Sequence, residues 1–159
     1  MESLSNSEFI EATILRLDDV LKMSIDDLTV LQAASSKAFG AFLENHQAAN
    51  NKYVKINKFN VDQCIHYYIF LQKALLEVGA LDLAEKVYFY TRVNFCVDIF
   101  PTRRMPDKFL LVHPLGAILG DASYGNYLVV YQNVTVGGNP KLEYPSIGGG
   151  LFFTRVLRS

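Results

Sequence analysis

The stretch DASYGNYLVVYQNVTV, residues 121–136, decides how this chain is read. Within it Tyr124, Val130 and Val136 are spaced by six, and the residues two before each of them, Ala122, Leu128 and Val134, are apolar at the same spacing. A six-residue period suits a left-handed parallel β-helix, in which each hexad forms one flat face of a triangular prism and stacks on the turn before it. Ile147 and Phe153 are again six apart, after an interruption at 137–145 that carries two glycines, Asn139-Pro140 and charges. That interruption reads as a loop thrown out of the coil. Short valine runs separated by Gly125-Asn126 also suit antiparallel hairpins, so the spacing alone leaves both sheets open.

Upstream the pattern is different. From Glu8 to about Asn94 apolar residues recur at three and four positions, the signature of amphipathic helices. Ser24 followed by Asp27 opens one helix, and the polar run Glu44 to Lys58 is expected to end it. Asn60 with Gln63 caps the next, and Gly79 stands where a helix end takes a left-handed residue. A fourth helix is expected from Leu81. All five prolines and eight of the ten glycines lie past residue 100. The expected fold class is therefore α+β: a helical domain over 1–95, then the first coils of a left-handed β-helix over 96–159 with the loop at 137–145.

Fifteen Lys and Arg against sixteen Asp and Glu leave a net charge of −1, and neither sign clusters. Nothing here suggests nucleic acid or an anionic membrane as partner. No run approaches the ~20 apolar residues that span a bilayer, and the acidic N-terminus does not resemble a signal peptide, so a cytoplasmic protein is expected. Cys64 and Cys96 have no metal-ligand spacing and are expected to be buried thiols; no metal is expected.

Three segments in order, Val97-Asp98-Ile99-Phe100-Pro101, then His113 to Gly120 (HPLGAILG), then Tyr131 to Gly138 (YQNVTVGG), resemble the serine O-acetyltransferases. That family carries V-D-I-H-P, D-H-A-T-G-I-V-V-G and L-Q-S-V-T-L-G-G in the same order after a helical domain. The fifteen residues between its aspartate and histidine equal those between Asp98 and His113. The resemblance covers about residues 60–153. It implies acetyl transfer from acetyl-CoA to a hydroxyl, L-serine by family, in cysteine biosynthesis. His113 would be the general base and Asp98 the carboxylate that holds its ring, while Gly137 and Gly138 would let backbone approach the acetyl-CoA arm. A homo-oligomer is implied, a trimer in the simplest case. Phe109, Leu110, Leu111, Tyr127, Tyr131, Phe152 and Phe153 look like more apolar surface than a few narrow coils can hide.

The chain also departs from that pattern. Val112 stands where the family has aspartate before its histidine, and Phe100 where it has the histidine of V-D-I-H-P. In the loop Glu143 and Tyr144 replace an arginine and a histidine that serve the amino-acid acceptor, so both are read as substrate-facing and L-serine itself comes into question. Arg103 or Arg104 could supply a cation instead. The coil stops early, which reads as a C-terminally truncated member. Three functions follow: the serine-type O-acetyltransferase, the same chemistry on another acceptor such as a sugar, or an inactive remnant that only associates with related subunits.

Overall fold

The computed structural model describes residues 5–49, 56–137, 146–148 and 152–153. Helix α1, Asn6–Leu21, starts on a reciprocal cap: the Glu8 amide donates to Ser5 Oγ and the Ser5 amide to Glu8 Oε2. Helix α2, Ile25–Ala49, is capped by Ser24 Oγ, which accepts from the Asp27 amide at 3.1 Å. It does not end at Glu44 as the polar run suggested. Asn45 and His46 are buried inside it, so the polar letters there mark packing rather than a break.

Helix α3, Val61–Glu77, is capped by Asn60 and ends before Gly79, whose φ is +76°. Gln63 through Gln72 are buried without a gap, because α2, α4 and the sheet region surround this helix. Tyr67 on α3 meets Phe9 of α1 edge-on at 5.3 Å, and Phe39 and Phe42 of α2 at 6.2 Å. Each such buried ring contributes about 1.5–3 kcal/mol of burial. Helix α4, Leu81–Phe95, ends on Cys96 in a left-handed conformation at φ 53°. Cys64 is buried as expected, but Cys96 is exposed: capping the helix leaves its thiol outside the core.

Among the described residues the strands are β1 Phe109–Val112, β2 Ile118–Leu119, β3 Ser123–Tyr124, β4 Leu128–Tyr131, β5 Thr135–Val136, β6 Ser146–Ile147 and β7 Phe152–Phe153. Every pairing is parallel: β1 with β4 and β4 with β7, β2 with β5, β3 with β6. Successive strands visit three sheets in rotation, so the chain winds as a three-sided coil and the hairpin alternative is excluded. Phe109 sits beside Leu128, Ile118 beside Thr135 and Ser123 beside Ser146, each one turn apart. The six-spaced Tyr124, Val130 and Val136 are all buried in the coil interior. Corners use left-handed backbone at His113, Gly116, Tyr127 and Asn133. At Gly116, φ +73°, a Cβ would stand 2.5 Å from Asn133 Oδ1, so a larger residue there would have to displace that side chain.

Strand β1 begins the coil and is the outer strand of its sheet. Its free amides, at alternate residues, meet side chains from the helices. The Phe109 amide donates to Asn45 Oδ1 at 2.8 Å, the Leu111 amide to His66 Nε2 at 2.8 Å, and the His113 amide to Asp62 Oδ2 at 3.1 Å. Three residues of α2 and α3 thus replace a missing strand and close an edge that would otherwise invite pairing. Phe109 and Leu111 are buried against these helices, so the apolar surplus expected of the coil is smaller by two large side chains. Of the loop 137–145, residues 138–145 lie outside the described residues. Among the described residues no helix is long and apolar enough to cross a membrane.

Candidate active site

His113 occupies the corner that follows β1, with a positive φ of 47° that carries its side chain off the strand. The ring is 81% exposed. Its Nδ1 stands 3.2 Å from Asp62 Oδ2, the oxygen that also accepts its backbone amide. No described residue bonds Nε2, which leaves that nitrogen open to a proton from outside. A corner imidazole beside a carboxylate and open at Nε2 is an arrangement a general base can use.

Asp98 does not hold this ring. It lies between α4 and β2, where its amide donates to Ala117 O and its carbonyl accepts the Leu119 amide, both at 2.9 Å. Its carboxylate turns back to α4: the Tyr88 hydroxyl donates to Oδ1 at 2.7 Å, and Arg92 lies 3.4 Å from Oδ2 and also donates to the Tyr88 oxygen at 2.9 Å. Asp98 and His113 share neither a hydrogen bond nor an ion pair. The expected pairing fails because Asp98 stacks on Ile118, five residues beyond His113 and around the next corner. Equal sequence spacing to a family motif does not put two side chains on one face when the turn of the coil is longer than the spacing. Partial burial, then the bond to Asp98, raises the Tyr88 hydroxyl above its ordinary pKa.

Phe100 packs edge-on against Tyr88 at 5.2 Å, so the residue in the histidine place of V-D-I-H-P extends this cluster. Arg103 ion-pairs with Asp121 and stacks over Phe100, and Arg104 is exposed. No described residue lies within 4 Å of where a Cβ on Gly137 would stand. Gly138, Glu143 and Tyr144 lie outside the described residues. Among the described residues no group of three or more His, Cys, Asp or Glu could hold a metal ion. A cavity of about 390 Å³ lies elsewhere, lined by Lys37, Glu44, Phe70, Lys73, Glu77 and Lys108 among others, and includes neither Asp98 nor His113.

Asp62, Tyr88 and Arg92 are the site neighbours that the sequence reading missed. Asp62 carried one signal, its place in the first turn of a capped helix, which says nothing about a corner fifty residues later.

No protein-family profile matches the chain. Over 60 residues it is 40% identical to probable serine acetyltransferase 2 of Oryza sativa subsp. japonica, a match spanning 35% of this chain and 17% of that protein. Among solved structures, the serine acetyltransferase of Vibrio cholerae superposes with a TM-score of 0.69 at 20% identity, over 91% of this chain and 61% of that one. The Neisseria gonorrhoeae serine acetyltransferase in complex with serine gives 0.68 at 22% identity, over 94% and 66%. The fold is that of the serine acetyltransferases. The Brucella abortus serine acetyltransferase in complex with coenzyme A gives 0.64 at 19% identity, over 91% and 63%. The chain resembles serine acetyltransferases in sequence as well as in fold, and it spans less than two thirds of the length of each of these proteins. In this serine acetyltransferase fold, His113 sits on a corner of the coil and Asp98 at the junction with the helices.

Proposed function

We propose that the coil is the start of a left-handed β-helix and that the protein is an acetyl-CoA-dependent O-acetyltransferase of the serine acetyltransferase type, with His113 as general base. The observation that carries this reading is the His113 ring itself, anchored beside Asp62 and open at Nε2. The acceptor hydroxyl would give its proton to Nε2 as its oxygen bonds to the thioester carbonyl carbon. The carbon–sulfur bond then breaks, and the departing coenzyme A sulfur takes the proton back from Nε2. Nothing is oxidised or reduced, and no covalent enzyme intermediate is needed. The open space at Gly137 suits the approach of a thin arm such as that of acetyl-CoA, with Gly138 beside it in sequence.

Asp98 takes no part in this reading, because its carboxylate is engaged by Tyr88 and Arg92 and it makes no contact with His113. Tyr127 and Leu115, exposed on the coil, favour a homo-oligomer, a trimer in the simplest arrangement. Light scattering that finds only monomer at micromolar concentration would overturn the oligomer.

The reading is tested by following release of coenzyme A from acetyl-CoA with hydroxyl acceptors. His113→Ala should lower kcat by the ~10²–10⁴ expected for a lost general base. An unchanged rate assigns the base elsewhere.

A further inference from the structure

We infer that the groove between α2, α3 and the segment entering β1 binds a small zwitterion with a large apolar body, an amino acid such as L-phenylalanine being the simplest. The cavity, of about 390 Å³, is the size of a small-molecule site, and its lining includes neither His113 nor Asp98. Its shape follows from the sequence. Lys37, Ala38, Ala41 and Glu44 fall on one face of α2, and Phe70, Lys73, Ala74 and Glu77 on one face of α3. Short alanines where the two helices meet leave a trench, and the long charged side chains beside them make its rim. Ala38, Phe70 and Ala74 are buried beneath that rim, so the floor is apolar.

The rim carries three cations and three anions, paired as Lys37 with Glu77, Lys73 with Asp107 and Lys108 with Glu44. A balanced rim favours neither a simple anion nor a simple cation, whereas a molecule bearing both charges finds a partner for each. The three pairs are not equivalent. The Lys73 ammonium meets Asp107 Oδ1 at 3.0 Å, Met105 O at 3.3 Å and Pro106 O at 3.5 Å, so its three hydrogens are engaged. Lys108 and Glu44 stand 3.6 Å apart, beyond hydrogen-bond reach, and among the described residues neither side chain makes a hydrogen bond. A ligand carboxylate on Lys108 and its ammonium on Glu44 would close a ring of alternating charge, with the apolar side chain laid over Phe70. Exposed ion pairs contribute little, so Glu44 can shift to admit the ligand at small cost.

The wall that bears Lys108 is set before a ligand arrives. Asn126 Oδ1 accepts the amides of Asp107 and Lys108 at 3.1 and 3.0 Å, and the Lys108 carbonyl accepts the Tyr127 amide at 2.6 Å. Phe70 stacks on Phe109 at 5.3 Å, which ties the floor to the same strand. A site already ordered loses less conformational freedom on binding and keeps more of its contact energy.

The experiment titrates the intact chain with L-phenylalanine and follows the amide NMR shifts of Ala41, Phe70, Ala74 and Lys108. Two analogues run beside it: 3-phenylpropionate lacks the ammonium and phenethylamine lacks the carboxylate. L-Phenylalanine is expected to give saturable shifts at these amides in the millimolar range, and each analogue to bind about tenfold or more weakly, as loss of one charge-assisted hydrogen bond implies. Lys108→Met should weaken L-phenylalanine by a similar factor without weakening phenethylamine, and Glu44→Gln should weaken it without weakening 3-phenylpropionate. Both variants keep the backbone bonds of the groove, and the shifts of amides remote from it report that the fold is intact. His113→Ala should bind L-phenylalanine as the unaltered chain does. No saturable shift at the groove amides, an analogue that binds as tightly as L-phenylalanine, or an affinity unchanged in Lys108→Met overturns the inference. Binding lost in His113→Ala places the ligand at the other site and overturns it as well.

Discussion

His66 Nε2 accepts the Leu111 amide at 2.8 Å while its Nδ1 donates to the Asp62 carbonyl at 2.7 Å, so one buried imidazole ties helix α3 to the first strand of the coil. The bond requires a neutral ring, since a protonated Nε2 has no lone pair for the amide. Burial, the largest cause, pushes the His66 pKa from 6.5 down to about 4. The unfolded chain then binds a proton that the folded chain refuses between those two values. Stability is full above pH 6.5 and falls as the pH drops toward 4, by about 3 kcal/mol from this ring alone. His46, also lowered by burial, adds in the same direction. Urea unfolding at pH 7.5 and pH 4.5 should show the loss as a lower midpoint at unchanged slope. A flat profile would mean that His66 is reached by water.

The edge seal makes a second prediction. Asn45→Ala leaves the Phe109 amide buried beside nothing that accepts from it, and an orphaned buried donor costs about 1–3 kcal/mol. Hydrogen exchange gives the site-specific reading: the Phe109 amide should exchange faster in Asn45→Ala, and an unchanged rate would show that another group seals the edge.

These two residues also show what the sequence could and could not tell. The six-residue period of Tyr124, Val130 and Val136 was legible because each rung repeats a local pattern, and the caps at Ser24, Asn60 and Gly79 were legible because a helix end is satisfied within four residues. Asn45 and His46 suggest a break because polar residues are usually exposed, whereas Asn45 is buried to bond the distant edge of β1 and His46 packs against the rings of Phe42 and His66. At the site, His113 stood out as a histidine in a recognisable motif. Its neighbour did not: Asp62 reaches it through the packing of α3 on the coil, which no local spacing records.

Gly116 carries a third prediction. Its backbone is left-handed and the space a Cβ would need is taken by Asn133 Oδ1, whose own amide donates to Leu115 O at 2.9 Å across the corner. Gly116→Ala should cost roughly 1–2 kcal/mol from the left-handed conformation alone. Relief of the clash requires Asn133 to move. Gly116→Ala with Asn133→Gly in the same chain should then recover part of the loss, and thermal unfolding of the two variants decides whether it does.

The last prediction concerns the acceptor. If Glu143 and Tyr144 face the acceptor, as their place in the resemblance implies, an amino acid's carboxylate meets a carboxylate where the serine acetyltransferase pattern has cations. Loss of one charge-assisted hydrogen bond is worth about 1.5–3 kcal/mol, or roughly ten- to a hundredfold in affinity. Arg103 does not replace it in this chain, since its guanidinium is paired with Asp121 and stacked on Phe100. Arg104 is exposed. L-serine should therefore bind weakly, and a neutral hydroxyl compound such as a sugar should compete well with it in side-by-side assays of coenzyme A release. Glu143→Arg should restore preference for L-serine by about tenfold or more, in line with one regained charge-assisted bond. Saturation by L-serine below millimolar concentration in the unaltered chain would show that another cation reads the carboxylate, and Arg104→Ala would then be the variant that abolishes it.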